Sequence, residues 1–341
     1  MRLLVTGGTG FIGSHLAEEG RRRGAEVVVL GLTDRPEEQA NAALLAGLGA
    51  EVISGSITDA ELCRRASRGA THIFHLAVAM REGGKRDEFF EAINLDGTRH
   101  LLQAATTERV QRFVYCSTIG IYGHRAPGIT SEDSPLSPGN IYERTKVAAE
   151  RLVRDFAENC ALPSVVLRPA DVYGPRDQRL LKMFKGVSRG RFPLFGAGNG
   201  RRHMVYVDDV VSAFFKAGER DEAVGQGLIV AGPRACTLRE LLDEVTAATG
   251  SRRYGVRLPL APMLGAAAVV EDVCATLAID PPIYRRRMDF FHSDSAFDIS
   301  KARKVLDWEP KVDLREGIRR TLEDYRRSGA LGVLQQGSMS S

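Results

Sequence analysis

Short apolar runs alternate with longer stretches of mixed polarity over the first 170 residues of the chain. Six of the runs are rich in β-branched or aromatic residues and several lack polar alternation, at residues 3–5, 27–30, 51–53, 73–76, 113–116 and 165–167. Such continuous runs are typical of parallel strands covered on both faces. The stretches between them, such as 14–23 and 95–105, are long enough for crossover helices. The pattern therefore predicts an α/β fold with a doubly wound parallel sheet.

The pattern changes after Pro169, where proline and glycine repeatedly interrupt the chain. Thr237 and Glu240 form a capping box that predicts the start of a helix, and Gly250 predicts its end. Further elements are predicted as a strand at 204–207, a helix at 210–217 and a last amphipathic helix at about 314–327.

These changes predict the domain organisation. We expect a larger domain at residues 1–170, to which the chain returns near 204–232. A smaller, mixed α/β C-terminal subdomain is expected at 171–330. Residues 331–341 are rich in Gly, Ser and Gln, and we expect them to form a disordered tail.

The composition narrows the classes of function. Of 341 residues, 43% are hydrophobic and 26% are charged, as is usual for a globular protein. The five cysteines are scattered and include no Cys-x-x-Cys pair, so neither a disulfide framework nor a metal site is expected. The formal charge of +4 is not arranged as a basic stripe with interleaved aromatic residues, so we expect no nucleic-acid partner.

No segment of the sequence is predicted to span a membrane. The chain begins directly in a predicted strand, without the regions of a signal peptide, so a cytoplasmic location is expected. The most apolar later run, at 258–270, has about 13 residues, whereas a spanning helix needs ~20. We expect it to form a helix that covers a substrate pocket, with shallow membrane contact as the alternative.

A glycine-rich segment follows the first strand and opens the first helix, Thr6-Gly7-Gly8-Thr9-Gly10-Phe11-Ile12-Gly13. Gly7 permits the tight turn, Gly10 lets the backbone approach a pyrophosphate, and Gly13 lets the helix pack closely on the strand. The helix N-terminus offers N–H groups and a partial positive charge to phosphates. The segment predicts the phosphate loop of a Rossmann domain, with NAD or NADP as the cofactor.

The residues after the second strand leave the choice between NAD and NADP open. An Asp there accepts a hydrogen bond from the 2′-hydroxyl of NAD, whereas an Arg suits the 2′-phosphate of NADP. The chain has Gly31 where the carboxylate is expected. Of the residues that follow, Asp34 favours NAD and Arg35 favours NADP.

Tyr142 and Lys146 are four residues apart and therefore share one face of a predicted helix. Interconversion of an alcohol and a ketone needs a group that gives or takes the hydroxyl proton while hydride moves. A free phenol has a pKa of about 10, and a neighbouring ammonium lowers it by stabilising the phenolate. The spacing alone is common on surface helices. Its position downstream of the glycine loop and of the hydroxyls of Ser117 and Thr118 predicts a proton-transfer site.

Together these motifs resemble the short-chain dehydrogenase/reductase family, in particular its extended branch, the NAD-dependent epimerase/dehydratase type. The spacing Gly-x-x-Gly-x-x-Gly and the segment from Tyr115 to Gly123 carry the resemblance, which covers nearly the whole chain. It implies that Thr118 holds the substrate oxygen, with Ser117 beside it, and that Lys146 also binds the nicotinamide ribose. It further implies a homodimer.

The resemblance implies additional cofactor contacts. The segment at 74–77 resembles the strand that passes under the cofactor, although His75 by itself is more typical of a packed core histidine. Asn94 matches a position that steadies the nearby strands, and Ser56 stands where relatives often have an Asp near the adenine. The segment at 168–175 resembles the one beside the nicotinamide. The implied cofactor-binding residues are Gly7, Gly10, Phe11, Ile12, Gly13, Gly31, Arg35, Ser56, Ile57, Leu76, Ala77, Val78, Asn94, Tyr142, Lys146, Pro169 and Val172.

The candidate substrate-binding residues give evidence both for and against a nucleotide-sugar substrate. Phe195 lies in a segment similar to a base-binding strand, and Arg202 occupies the position of a phosphate-binding Arg in sugar-nucleotide enzymes. Arg287 is a candidate for a second phosphate contact, because guanidinium groups suit phosphate oxygens. Against this, Asp171 replaces the usual Asn, and His203 replaces an Asp.

Three hypotheses follow. The first is a nucleotide-sugar 4-epimerase-like enzyme, in which the cofactor oxidises the sugar hydroxyl and returns the hydride to the other face. The second is a 3β-hydroxysteroid or dihydroflavonol-reductase-like dehydrogenase on a less polar substrate, which the apolar run at 258–270 would suit. The third is a non-catalytic dinucleotide sensor, against which the intact set of Thr118, Tyr142 and Lys146 argues.

Overall fold

The computed structural model of the chain describes residues 1–80, 85–123, 128–252, 255–265, 270, 274 and 294–331. The chain forms two units. The first contains Met1–Ala170, Val207–Ala231 and Phe297–Pro310. The second contains Asp171–Tyr206, Gly232–Ala296 and Lys311–Ser341.

The strands, in chain order, are β1 (Arg2–Thr6), β2 (Glu26–Gly31), β3 (Glu51–Ser54), β4 (His72–His75), β5 (Arg112–Cys116), β6 (Ser164–Pro169), β7 (Asp171–Tyr173), β8 (Leu194–Phe195), β9 (Arg201–Arg202), β10 (Met204–Tyr206), β11 (Gly227–Val230), β12 (Cys236–Thr237) and β13 (Arg257–Leu258). The α-helices are α1 (Phe11–Arg22), α2 (Pro36–Gly47), α3 (Ala60–Ser67), α4 (Asp87–Glu91), α5 (Gly97–Thr107), α6 (Ile141–Cys160), α7 (Gln178–Ser188), α8 (Val207–Glu219), α9 (Leu238–Thr249), α10 (Ser300–Leu306) and α11 (Leu314–Arg327). A π-helical turn covers Ala92–Asp96, and 3₁₀ turns cover Ile119–Tyr122 and Asp221–Ala223.

A seven-stranded parallel sheet forms the centre of the first unit, in the order β11-β6-β5-β4-β1-β2-β3. In β2 only Glu26 is exposed, because this strand lies inside the sheet and is covered on both faces, whereas none of the residues of the edge strand β3 is buried. The six strands predicted for residues 1–170 are confirmed to within two residues at each end. The strand β11 was not predicted.

Neighbouring residues of β4 show how the two faces are covered. Ile73 belongs to a core with residues of α3, α5 and α6. Phe74 points to the opposite face, since side chains alternate along a strand. There its ring centroid lies 5.6 Å from that of Phe214 and 5.3 Å from that of Phe215, both in α8. This is the doubly wound Rossmann arrangement that the sequence predicts.

The described residues of the second unit form three pairs of short strands and the helices α7, α9 and α11. β7 pairs with β10 and β8 pairs with β13 in parallel, whereas β9 and β12 are antiparallel. The predicted capping box is present, because Thr237 Oγ1 accepts a hydrogen bond from Glu240 N at 3.0 Å and Glu240 Oε2 accepts one from Thr237 N at 2.7 Å. Gly250 ends α9 with a φ of +70°, as the sequence indicates.

The described units differ from the predicted boundaries in three places. Residues 297–310, assigned from sequence to the smaller part, belong to the first unit, where Trp308 Nε1 donates to the Asp209 carbonyl oxygen at 3.1 Å. The strand predicted at 204–207 lies in the second unit, and the return to the first begins at Val207. Of the predicted tail, Leu331 is buried and the rest lies outside the described residues.

The apolar run at 258–270 is described in part. Leu260, Met263 and Leu264 pack against Phe195, and residues 266–269 lie outside the described part. Among the described helices, none is long and apolar enough to cross a membrane.

Candidate active site

The glycine loop between β1 and α1 has no room for side chains at Gly7 and Gly13. Gly7 has a φ of +65°, and a Cβ there would lie 2.7 Å from the Ala77 backbone nitrogen. A Cβ at Gly13 would lie 2.2 Å from the Gly7 carbonyl oxygen, so α1 begins directly on the turn. Gly10 precedes α1 and donates its N–H to the Gly7 carbonyl oxygen at 3.0 Å. Sequence reasoning missed Gly8, where a Cβ would lie 2.9 Å from the Val5 carbonyl oxygen.

The end of β4 lies against this loop. Leu76 N donates to the Thr6 carbonyl oxygen at 3.1 Å, and Ala77 N donates to Thr6 Oγ1 at 3.3 Å. The next residue, Val78, is half-buried, as are Phe11 and Ile12 at the start of α1. The structure thus brings the predicted phosphate loop and the predicted under-cofactor segment together.

His75 is a core residue. Its Nδ1 lies 2.7 Å from Thr6 Oγ1 and its Nε2 lies 2.9 Å from Thr98 Oγ1, so it joins β4 to β1 and α5. Burial, followed by the charge of Lys146, lowers the pKa of His75 to about 3. The imidazole is therefore neutral at pH 7, and both of its ring nitrogens take part in hydrogen bonds within the core.

The segments predicted to bind the adenosine have different surroundings. A Cβ at Gly31 would lie 2.3 Å from Thr9 Oγ1, so the Thr9 side chain occupies the space that a carboxylate side chain there would need. Arg35 is exposed and precedes α2, and Ser56 Oγ accepts a hydrogen bond from Thr58 N at 3.2 Å. The Ile57 side chain is buried in the core, so a cofactor contact through this side chain has no structural support.

Helix α6 carries Tyr142 and Lys146 in its first two turns. Lys146 is 3% exposed, and its Nζ donates to the Cys116 carbonyl oxygen at 2.5 Å. The same Nζ lies 4.4 Å from the centroid of the Tyr115 ring. Burial lowers the pKa of Lys146 to about 8. Tyr142 is half-buried. The lysine therefore connects α6 to the end of β5, immediately before the two predicted hydroxyl residues.

The two hydroxyls after β5 differ in their contacts. Thr118 Oγ1 accepts a hydrogen bond from Gly120 N at 3.0 Å and so caps the 3₁₀ turn. A hydroxyl that accepts one hydrogen bond can still donate another. Ser117 is 5% exposed, and its Oγ has no hydrogen-bond partner among the described residues. Buried hydroxyls are normally satisfied, so this atom is a candidate contact for a bound molecule.

Asn94 connects the segment after β4 with α6. Its Oδ1 accepts from Ala79 N at 2.8 Å, and its Nδ2 donates to the Ala79 carbonyl oxygen at 3.0 Å and to Thr145 Oγ1 at 2.9 Å. Asn94 lies in the π-helical turn, a local irregularity that is frequent at functional sites. It therefore fixes the helix of the Tyr/Lys pair relative to the strand predicted to pass under the cofactor.

A buried ion pair, missed by the sequence analysis, lies one helical turn beyond Lys146. Glu150 accepts two hydrogen bonds from Arg168 of β6, from Nε at 3.0 Å and from Nη2 at 2.6 Å. Arg168 Nη1 donates to the Tyr122 hydroxyl at 2.8 Å. Although burial disfavours its charge, the paired carboxylate raises the pKa of Arg168. The network joins α6, β6 and the end of the 3₁₀ turn that Thr118 caps. A Glu four residues after Lys146, facing the same way, was the signal available in the sequence.

The predicted substrate residues that are described lie in the second unit. Arg202 Nη1 donates to Asp171 Oδ2 at 3.0 Å. Phe195 is 9% exposed and belongs to the apolar cluster with the run after β13. Val172 of β7 is buried, whereas Pro169 ends β6 in the first unit. Arg287 lies outside the described residues.

Residues 3–232 match the model of the NAD dependent epimerase/dehydratase family. The chain belongs to this family. It is 32% identical over 339 residues to a UDP-glucose 4-epimerase of Mycolicibacterium smegmatis, covering 96% of this chain and 99% of that protein. It is 29% identical over 343 residues to a 3β-hydroxysteroid dehydrogenase/Δ5→4-isomerase of Mycobacterium tuberculosis, covering 95% of this chain and 90% of that protein.

The fold is also similar to solved structures. The UDP-glucose 4-epimerase of Thermotoga maritima, solved with UDP-glucose, matches with a TM-score of 0.76 and 28% identity, covering 96% of this chain and 99% of that chain. The predicted family and fold class are thereby confirmed.

As a member of the epimerase/dehydratase family, the chain is an NAD(P)-dependent enzyme. Two observations test whether its residues fit the cofactor. At Gly7 and Gly13 a Cβ would meet backbone atoms, so the loop turns tightly into the N-terminus of α1, and the buried Ser117 hydroxyl lacks a partner among the described residues. Both fit a bound dinucleotide. Within the described ranges, no group of three or more His, Cys, Asp or Glu side chains could hold a metal ion.

Proposed function

We propose that this enzyme moves hydride between NAD(P) and a carbinol or carbonyl carbon of its substrate, with Tyr142 as the proton-transfer group. The observation that carries the proposal is the burial of Lys146, which is 3% exposed and one turn from Tyr142 on α6. An ammonium stabilises a neighbouring phenolate and lowers the pKa of the phenol. A Tyr beside this lysine can therefore take up a hydroxyl proton near neutral pH, as general acid–base catalysis requires.

Each residue of the first unit has a distinct role in this proposal. The nicotinamide of the bound cofactor supplies or accepts the hydride. Thr118 donates a hydrogen bond to the substrate oxygen, with Ser117 beside it, while Tyr142 exchanges the proton with that oxygen. Lys146 also binds the nicotinamide ribose. Asn94 positions α6, since its side chain forms hydrogen bonds with both Ala79 and Thr145.

The rest of the cofactor is held by backbone and loop residues. The loop of Gly7, Gly10 and Gly13 and the N-terminus of α1 receive the pyrophosphate, because a helix N-terminus favours anions. Leu76 to Val78 pass beneath the dinucleotide, and Arg35 and Ser56 border its adenosine. Pro169 and Val172 are proposed contacts beside the nicotinamide.

Two substrate classes agree with this chemistry. Nucleotide sugars are supported by the similarity to UDP-glucose 4-epimerases and by the placement of Phe195 and Arg202 in one unit. Less polar alcohols or ketones are supported by the similarity to a 3β-hydroxysteroid dehydrogenase and by the Asp171 carboxylate, which pairs with Arg202. An epimerase would regenerate its cofactor, whereas a dehydrogenase would change the absorbance at 340 nm. A homodimer and a cytoplasmic location are further expectations from the family resemblance.

Replacing Tyr142 with Phe tests the proposal. Loss of a positioned acid–base group typically lowers the rate by ~10²–10⁴-fold, so turnover of the cofactor with an active alcohol or ketone should fall by that factor. Thermal stabilisation by NAD or NADP should persist, because the glycine loop is unchanged. The control is Arg144→Ala, a neighbouring and exposed position of α6, which should keep full activity. Unchanged turnover in Tyr142→Phe would show that Tyr142 is not the proton-transfer group.

A further inference from the structure

Both arginines of β9 form ion pairs with carboxylates of the second unit. Arg201 contacts Asp294 through Nε at 2.7 Å and Nη2 at 2.6 Å, and its backbone N–H also donates to that carboxylate, at 3.1 Å. Arg202 contacts Asp171 through Nη1 at 3.0 Å. The positive charge of this short strand is therefore compensated within the protein.

The backbone holds Asp171 beside Arg202. Asp171 begins β7, which pairs in parallel with β10, and its N–H donates to the His203 carbonyl oxygen at 3.1 Å. The carboxylate is thus placed next to the arginine by strand pairing and does not depend on a flexible loop. The Arg202 side chain is 13% exposed and that of Asp171 is 40% exposed, so the solvent-facing partner of the pair is the acid.

His203 does not restore a positive charge to this region. Its Nε2 lies 2.9 Å from the Gly232 carbonyl oxygen. Burial lowers the pKa of His203, and so the ring is neutral at pH 7. Asp171, Arg202 and His203 together therefore have a formal charge of zero, with a carboxylate as the most exposed of the three.

We infer that Asp171 is a specificity-determining residue that disfavours nucleoside diphosphates, so that the substrate is a secondary alcohol or ketone without a diphosphate. The inference rests on the proposed hydride-transfer function and narrows its substrate class. A guanidinium binds phosphate strongly through charge-assisted hydrogen bonds. A diphosphate that binds Arg202 would have to displace the Asp171 carboxylate or lie beside it, and two negative charges a few ångströms apart repel each other.

The apolar cluster of the second unit agrees with a less polar substrate. Phe195 packs with Leu260, Met263 and Leu264, and Val256 and Leu258 of the same segment are 59% and 37% exposed. Apolar surface of this kind gains free energy when it is covered by an apolar molecule. The second unit therefore offers apolar side chains and a neutralised arginine, which suits a hydrophobic carbinol better than a charged nucleotide.

The test compares UDP binding in the wild-type enzyme, Asp171→Asn and Asp294→Asn, measured by isothermal titration calorimetry in the presence of the cofactor. Asn keeps the shape of Asp and removes its charge. The wild type and Asp294→Asn should bind UDP with a Kd above the millimolar range. Asp171→Asn should gain at least tenfold in affinity, and the gain should weaken with added salt, because it arises from charge. Stabilisation by NAD or NADP confirms that each variant is folded.

Two results would overturn the inference. One is tight UDP binding by the wild type, and the other is an Asp171→Asn variant that binds no better than the wild type. Neither result touches the proposed function, which is tested separately by the loss of cofactor turnover in Tyr142→Phe. If the wild type excludes UDP while Tyr142→Phe retains full turnover, the hydride-transfer role of Tyr142 fails and the charge-based exclusion stands.

Discussion

Two arginine–carboxylate pairs of the described residues, Arg168–Glu150 and Arg202–Asp171, differ in burial and geometry. Arg168 and Glu150, in the first unit, have side chains 8% and 5% exposed and share two hydrogen bonds. Arg202 and Asp171, in the second unit, have side chains 13% and 40% exposed and are joined through one guanidinium nitrogen, Nη1. The Arg168–Glu150 pair, hereafter the inner pair, is closed to solvent. The Arg202–Asp171 pair, hereafter the outer pair, exposes its acid.

This difference indicates different roles. A buried pair is costly to break, because either partner alone would be an uncompensated charge in a low-dielectric interior. It therefore holds α6, β6 and the hydroxyl segment in one arrangement. A half-exposed pair contributes little to stability, because its exposed acid is hydrated whether or not the pair is formed. The first unit thus has a fixed frame around Lys146, and the second has an ion pair whose acid is exposed to solvent.

Breaking the inner pair should have the largest effect on stability. Replacing Arg168 with Met leaves Glu150 buried and charged, and removal of one partner from a buried pair typically costs ~3–5 kcal/mol. Tyr122 also loses the hydrogen bond from Arg168. The free energy of unfolding, measured with urea in the absence of cofactor, should fall by that amount.

Two controls separate charge from packing. Arg327→Met removes an arginine that is 81% exposed and paired with Asp324, and it should change the unfolding free energy by only ~0–1 kcal/mol. Adding Glu150→Leu to Arg168→Met should restore much of the lost stability, because no orphaned charge remains. A loss in Arg168→Met as small as that in Arg327→Met would show that the inner pair is not a fixed frame.

The sequence predicts those features that depend on local pattern. The strands of the sheet follow from apolar runs, and α11 extends over Leu314–Arg327 as the amphipathic pattern indicates. Gly7 and Gly13 follow from the spacing of the phosphate loop, and the structure places them where no side chain fits. These predictions succeed because the physical constraint acts between residues close in the chain.

Features that depend on distant contacts could not be predicted in this way. Glu150 and Arg168 are 18 residues apart on different elements, and no periodicity connects them. The space that a side chain at Gly31 would need is filled by Thr9, on another segment of the first unit. The return of residues 297–310 to the first unit depends on tertiary contacts such as that of Trp308 with Asp209. Likewise, the sequence identifies Asp171 and Arg202 separately but not as a pair.

The pKa of the buried Lys146 leads to a prediction for the first unit. Lys146 and Arg168 are both buried cations, but their hydrogen-bond partners differ. Arg168 is paired with the Glu150 carboxylate, whereas Lys146 Nζ donates to a neutral carbonyl oxygen. Burial therefore lowers the pKa of Lys146 from 10.5 to about 8. Between about pH 8 and 10.5 the unfolded chain binds more protons at this site than the folded chain, so the Lys146 contribution to stability rises with pH across that window.

The measurement compares the unfolding free energy of the wild type and Lys146→Met at pH 7 and pH 10. At pH 7 the buried charge of Lys146 destabilises the wild type. The unfolding free energy of Lys146→Met, relative to that of the wild type, should therefore be highest at pH 7. That advantage should shrink toward pH 10, by ~1.4 kcal/mol for each pKa unit of the shift that is titrated. A difference that stays constant from pH 7 to pH 10 would mean that Lys146 keeps an ordinary pKa.

The outer pair should contribute least to stability. Replacing Arg202 with Met leaves Asp171, which is 40% exposed and can be hydrated by solvent. The expected change in unfolding free energy is therefore ~0–1 kcal/mol, as for other solvent-exposed ion pairs. The measurement uses the same urea titration as for Arg168→Met, so that the two pairs are compared directly. A loss of ~3 kcal/mol or more would place this pair in the same structural class as the inner one. Asp171 would then be needed to hold β7 and β9 together, and its charge would no longer be free to select among substrates.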